Sequence, residues 1–224
     1  MKKIAVVGAK GKMGSVVCDV LKKDFEIVKI DIGDSLEFKQ NIDLVIDFAN
    51  SETSTKSVKF AVKNNIPVII GSTGQTKDQE KFIKDASRKI AVLKCSNFSI
   101  GIQIIKKIIQ NILKFNIQDV GIFEKHHREK MDSPSGTALE LEREISKSFG
   151  GKVQLLAERG GREIGTHKID FYFGDEVISL EHKAFSRKAF ADGVLLSAKF
   201  LIGKPAGYYN FYSIVQNEQN IKDI

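Results

Sequence analysis

The sequence predicts an α/β protein: a doubly wound parallel-sheet domain, followed by a second α+β domain with a mixed sheet. Three observations carry this. Residues 1 to about 98 alternate short apolar runs with amphipathic segments. Those runs show little polar alternation, as strands do when helices cover both faces of a parallel sheet. After Asn97 the order changes to one long helical pattern and then to strands that alternate residue by residue.

Lys3–Val7 is the first strand, and Val16, Val17, Val20 and Leu21 then fall on one helical face. Glu26–Ile30 and Ile42–Phe48 are the next strands, the second almost continuously apolar. A helix runs through Val58, Phe60, Ala61 and Val62, and Pro67–Ile70 returns to strand. A lysine-rich helix around Thr76–Arg88 leads to the strand Ile90–Leu93. In the second half, Ser99–Phe115 reads as one amphipathic helix capped by Ser99, with Ile100, Ile104, Ile105, Ile108, Ile109 and Ile112 at helical spacing. The strand Asp119–Glu124 precedes a polar stretch, His126–Pro134, and a helix begins near Ser135. Beyond Gly150, Ile169, Phe171 and Phe173, then Val177, Ile178 and Leu180, fit half-buried strands. No repeat or long linker separates the halves, so the junction is expected to be a short hinge near Cys95–Ser99.

Composition narrows the function classes. The longest apolar runs, such as Ile66–Ile70, are too short to span a bilayer, and the apolar start runs at once into glycines and lysines. A cytoplasmic protein with no membrane partner is expected. Cys18 and Cys95 alone cannot form a zinc site and are not spaced as a redox pair; two reduced thiols and no metal are expected. The net charge of +7 invites a nucleic-acid reading, but the lysines are scattered and no basic run is interleaved with aromatics. A protein that handles small anions explains the charge as well.

Gly8-Ala9-Lys10-Gly11-Lys12-Met13-Gly14 follows the first strand directly and opens a helix. Glycines permit the tight turn and close backbone approach that let helix N–H groups face a pyrophosphate. Asp31 stands at a strand end 17 residues after Gly14, where its carboxylate can accept from an adenosine ribose. Strand, loop, helix and acid are in register for a Rossmann-like dinucleotide domain. Asp31 disfavours a 2′-phosphate, while Lys10 and Lys12 offset its charge; NADH is expected to be preferred and NADPH accepted. Asp47-Phe48-Ala49-Asn50 and Gly71-Ser72-Thr73-Gly74 also lie at carboxyl ends of strands, where open α/β sheets bind ligands.

The chemistry is concentrated in Glu124-Lys125-His126-His127-Arg128-Glu129-Lys130-Met131-Asp132-Ser133-Pro134-Ser135-Gly136-Thr137-Ala138. Ser135-Gly136-Thr137 at a helix N-terminus offers N–H groups and hydroxyls to an anion such as a carboxylate. His126 or His127 can give a proton near neutral pH, and Lys130 adds a fixed positive charge. A polar loop ending in a capping serine would supply many of the same residues. His167 and His182 lie in β-patterned segments and suit either a core or a substrate-side role.

This stretch resembles the dihydrodipicolinate reductase family, whose pattern runs Glu-x-His-His-x-x-Lys-x-Asp-x-Pro-Ser-Gly-Thr-Ala. The similarity extends along the chain, through Gly8–Gly14, Gly71–Gly74, Ser96–Gly101, Arg159-x-Gly161, Gly165-x-His167, His182-x-Ala184-x-Ser186-Arg187 and Gly207-Tyr208-Tyr209. The resemblance implies NAD(P)H-dependent reduction of 4-hydroxy-tetrahydrodipicolinate to tetrahydrodipicolinate in the diaminopimelate route to lysine. It implies His126 as the catalytic acid and Lys130 as its companion, with His127, Ser135, Gly136 and Thr137 binding the carboxylates of a small cyclic dicarboxylate. Gly8, Gly11, Lys12, Met13, Asp31, Phe48, Gly71, Thr73, Ser96 and Phe98 would line the cofactor site. It also implies a discontinuous first domain, 1–98 with 188–224, around a substrate-binding and oligomerisation domain, 99–187, and assembly as a homotetramer.

Some positions depart from the family pattern. Phe48-Ala49-Asn50-Ser51 stands where Phe-Thr-x-Pro is common, Ser133 where alanine is usual, and Lys12 where arginine is frequent. A lysine keeps the attraction to phosphate but not the bidentate fork. The rival readings are an unrelated two-domain NAD-dependent dehydrogenase and a non-catalytic nucleotide-sensing module. Neither requires His126-His127 beside Ser135-Gly136-Thr137.

Overall fold

β-branched side chains are stiff about χ1 and pack well on pleated surfaces, so valine- and isoleucine-rich runs become the central strands. The computed structural model describes residues 1–31, 33, 34 and 41–217. In chain order the first elements are β1 (Lys3–Val7), α1 (Gly14–Leu21), β2 (Glu26–Ile30), β3 (Leu44–Asp47), α2 (Ser51–Asn64), β4 (Val68–Ile70), α3 (Lys77–Ala86) and β5 (Ala91–Lys94). Next come α4 (Ile100–Ile112), β6 (Asp119–His126), α5 (Gly136–Ser146), β7 (Gln154–Arg159), β8 (Gly165–Phe173) and β9 (Glu176–Ala184). The last are α6 (Lys188–Leu201), β10 (Gly207–Tyr209) and α7 (Phe211–Gln216). Two compact units result: Met1–Phe98 with Phe190–Ile224, and Ser99–Ala189.

The first unit is built on a six-stranded sheet in the order β10-β5-β4-β3-β1-β2, with every neighbouring pair parallel. Ala5, Val7, Val45, Val68, Ile70 and Val92 share one core cluster with Val58 and Ala61 of α2 and Ile83 and Ala86 of α3. The alternate residues Ile4, Val6, Leu44, Ile46, Ile69 and Leu93 are fully buried too, which is why the strands read as unbroken apolar runs. Burial of each such side chain contributes roughly 1.5–3 kcal/mol. Thr76 and Gln79 form a reciprocal capping box at the start of α3, with bonds of 3.3 and 2.8 Å.

The second unit holds a mixed sheet ordered β7-β6-β8-β9, in which β6 and β7 are parallel and the other pairs antiparallel. Ser99 caps α4 by accepting from the Ile102 N–H, as its sequence position predicts. That helix ends at Ile112, one turn before the predicted Phe115. Ile105 and Ile109 of α4 and Ala138, Leu141 and Ile145 of α5 pack on Val120, Ile122, Ile169 and Phe171 of the sheet. β6 runs two residues past its predicted end, because His126 pairs with Arg159 and its carbonyl accepts from the Gly160 N–H at 2.9 Å. No helix among the described residues is long and apolar enough to cross a membrane.

Candidate active site

In the first unit the predicted cofactor residues gather at the carboxyl ends of the strands. β1 leads into Gly8 at φ +79°, a conformation that favours glycine. A Cβ there would come within 3.0 Å of the Ala49 backbone. The Gly8 and Ala9 N–H groups donate to the Ile30 carbonyl at 2.9 and 3.1 Å, tying the loop to the end of β2. α1 then starts at Gly14, with no side chain capping it at Met13. Gly11 and Lys12 are exposed, and Met13 is half-buried.

Asp31 accepts from the Lys10 N–H at 3.1 Å and pairs with Lys10 Nζ at 3.0 Å. The lysine hydrogen bond holds its carboxyl below the usual range. A cavity of about 280 Å³, lined by Val7, Ile30, Asp31, Asn50 and Thr53, opens beside it. The Phe48 ring fills the space that a side chain at Gly71 would need, and it meets Phe98 edge-on at 6.0 Å. Thr73 and Ser96 are exposed beside these rings' strand ends, whereas Phe98 is buried. A turn with no room for a side chain at Gly8 or Gly14, and a cavity beside the strand-end acid, together fit a dinucleotide.

Sequence reasoning named Asp47 as part of a strand-end turn but gave it no role; it is fully buried beneath these turns. Its carboxylate accepts from Ala49 N–H at 3.1 Å, Ser54 Oγ at 2.9 Å and Ser57 Oγ at 2.5 Å, and Ser54 in turn bonds Ser72. Burial pushes the Asp47 carboxyl up, and these donors oppose the rise. The cluster links the turn after β3 to the turn after β4.

In the second unit, period-two alternation places Val120, Ile122, Glu124 and His126 on the buried face of β6. Glu124 bonds His126 Nδ1, and it also accepts from Arg159 Nη1 at 3.0 Å, Arg159 Nη2 at 2.7 Å and the Ser135 N–H at 3.0 Å. Burial pushes the Glu124 carboxyl up, but Arg159, His126 and Ser135 outweigh it and leave the carboxyl below its ordinary range. For His126, burial lowers the pKa, Glu124 opposes this, and Lys130 and Arg159 add to the lowering.

Ser135 caps α5 by accepting from the Ala138 N–H at 3.2 Å, and its Oγ lies 3.4 Å from His167 Nε2. Burial, then the charges of His126 and His182, push the His167 pKa down to about 3. His167 Nδ1 is buried with no partner among the described residues. An orphaned N–H costs more than an orphaned acceptor, which assigns the proton to Nε2 and makes His167 the donor to Ser135. The Ser135 hydroxyl hydrogen is then left as a donor. Gly136 is exposed at the helix tip and Thr137 is buried. His127 donates its N–H to the Glu163 carbonyl at 2.7 Å, and Lys130 Nζ pairs with both Asp132 oxygens at 2.7 and 2.9 Å.

Sequence reasoning named Glu124 and Arg159 only within the family pattern, without a role, and left His167 between a core and a substrate-side role. One signal could have found the first of them: residues i and i+2 of a strand share a face, so Glu124 and His126 meet once β6 is drawn through His126.

Fold and site place the chain among the two-unit, nicotinamide-dependent oxidoreductases. The family descriptions for the N-terminus and C-terminus of dihydrodipicolinate reductase match residues 2–98 and 101–215. The chain belongs to the dihydrodipicolinate reductase family. The 4-hydroxy-tetrahydrodipicolinate reductase of Thermosipho africanus is 36% identical over 217 residues, covering 96% of this chain and 98% of the relative. That of Caldanaerobacter subterraneus subsp. tengcongensis is 34% identical over 248 residues, covering 96% and 99%. Among solved structures, a dipicolinate-bound dihydrodipicolinate reductase from Paenisporosarcina sp. TG-14 superposes with a TM-score of 0.75 at 19% identity, covering 94% of this chain and 97% of the other. A myo-inositol dehydrogenase from Corynebacterium glutamicum shares the fold more distantly, with a TM-score of 0.66 at 14% identity and coverage of 98% and 94%.

Proposed function

We propose that the chain catalyses NAD(P)H-dependent reduction of 4-hydroxy-tetrahydrodipicolinate to tetrahydrodipicolinate, with loss of water, in the diaminopimelate route to lysine. The observation that carries this reading, beside family membership, is the Glu124 carboxylate shared by the His126 ring and the Ser135 N–H at the tip of α5. One carboxylate thereby ties a proton donor to an anion-binding helix end. The reduced nicotinamide, when bound, supplies the hydride.

His126 is the catalytic acid, giving its proton to the charge that develops on the substrate ring. Ser135, Gly136 and Thr137 hold a substrate carboxylate through N–H groups and hydroxyls, and His127 holds the other. Lys130 turns from Asp132 toward the substrate, exchanging one carboxylate for another. Residues 1–98 and 188–224 form the dinucleotide-binding domain, with Gly8, Gly11, Lys12, Met13, Asp31, Phe48, Gly71, Thr73, Ser96 and Phe98 around the cofactor. Residues 99–187 bind substrate and mediate assembly into a cytoplasmic homotetramer; exposed Leu156, Tyr172 and Val177 on the mixed sheet support that role.

The direct test is oxidation of NADH or NADPH on adding the freshly formed aldolase product of pyruvate and aspartate semialdehyde. No oxidation with either cofactor would overturn the reading. NADH is the preferred cofactor, because Asp31 and Asp34 line the cavity and disfavour a 2′-phosphate, while Glu52 there is paired with Lys56 at 3.1 Å. Lys10, already paired with Asp31, keeps NADPH acceptable. The expected kcat/KM ratio favours NADH; a preference for NADPH above about tenfold, or ~1.4 kcal/mol, contradicts this assignment.

A further inference from the structure

We infer that Glu124 and Arg159 are positioning residues that hold the His126 ring with Nδ1 bound and Nε2 as the nitrogen that exchanges protons. The inference rests on the reading of His126 as the proton donor. Glu124 is fully buried, and an ionised buried carboxylate is stable only when its lone pairs are filled and its charge is matched. The Arg159 fork supplies both, with bonds to the two carboxylate oxygens. An ionised carboxylate only accepts, so the His126 nitrogen that meets it carries the hydrogen. Nε2 is therefore the free position.

Gly165 on β8 faces that position: a Cβ there would come within 2.9 Å of His126 Nε2. Arg159 is fixed in turn by donating to the Asp132 carbonyl at 2.7 Å and the Glu158 carbonyl at 2.7 Å. The same network anchors the loop through Asp132 and the tip of α5 through Ser135. Proton donor and carboxylate cradle share one support.

The two partners pull on the ring in opposite directions. Besides Glu124 on its own strand, His126 is faced by Arg159 of β7, by His167 of β8 with His182 of β9 behind it, and by Lys130, itself paired with Asp132. Among the described residues, Glu124 is the one carboxylate bonded to the ring. Its loss leaves cations and neutral imidazoles, which disfavour the protonated ring. Loss of Arg159 removes a cation that opposes the protonated ring and leaves that ring as the counter-ion of Glu124, which favours it.

The experiment is the pH dependence of kcat for wild type, Glu124→Gln and Arg159→Met, together with ¹⁵N spectra of histidine-labelled wild-type protein. The high-pH limb, where His126 has lost its proton, is expected to move about one unit down in Glu124→Gln and up in Arg159→Met. Turnover is expected to fall roughly tenfold or more in each. Glu124→Asp, which keeps the charge, should return the limb toward wild type. The spectra need no variant, so they decide the matter even if a variant does not fold: neutral His126 protonated on Nδ1 supports the inference, and protonated on Nε2 overturns it. An unmoved limb in both folded variants also overturns it. A fully active His126→Ala protein would instead remove the reading of His126 as the acid.

Discussion

Replacing His126 with alanine is expected to lower kcat by about two orders of magnitude or more, close to ~2.7 kcal/mol of transition-state stabilisation. The size follows from what remains. The helix tip at Ser135–Thr137, proposed to hold a carboxylate, is left in place, and Glu124 keeps the Arg159 and Ser135 donors, so ground-state binding is expected to change little. What disappears is the imidazole bonded to that carboxylate. The affinity for NADH should stay near wild type, because the residues assigned to it belong to the other unit. Steady-state kinetics with a cofactor titration, on protein whose folding is verified by circular dichroism, decides the point. A folded variant with wild-type turnover would falsify the assignment.

The second large effect is on stability. His167 is buried and its pKa lies near 3, against an ordinary value of 6.5, so the folded protein keeps it neutral while the unfolded chain protonates it from about pH 6.5 downward. A depressed folded-state pKa contributes stability that is complete above 6.5 and lost progressively as pH falls toward 3. The expected loss is about 2 kcal/mol at pH 5 and roughly 4–5 kcal/mol by pH 3. His167→Gln removes the titration, so its urea midpoint should depend less steeply on pH between 7 and 5, although its stability at pH 7 is lower. Parallel curves for the two proteins would rule out His167 as the source.

The parts of the molecule legible from sequence are those governed by local chemistry. β1 falls on Lys3–Val7 because four successive buried residues, Ile4 to Val7, are recognised as a strand without their partners. The caps at Ser99 and Ser135 follow from a serine set directly before a helical pattern. The unread parts depend on pairing between distant segments. Lys125-His126 is polar enough to read as loop, yet β7 and β8 hold it in a sheet through Arg159 and Thr166. β7 itself is mostly exposed, with only Leu155 and Arg159 half-buried, and so carries no apolar alternation. Glu124 and Arg159 are 35 residues apart, and nothing in their own neighbourhoods announces that they meet. The site's chemistry was visible as a list of residue types; the bond that organises it was not.

The sheet of the nucleotide unit has an order of assembly written into it. β5 finds its outer neighbour only in β10, which the ribosome makes after the whole of the second unit. Until Gly207–Tyr209 is made, the nascent chain carries an open strand edge at Ala91–Lys94. Synthesis arrested between residues 98 and 207 would release a chain with an unfinished, pairing-prone sheet, and the short C-terminal strand acts as the clasp that closes it.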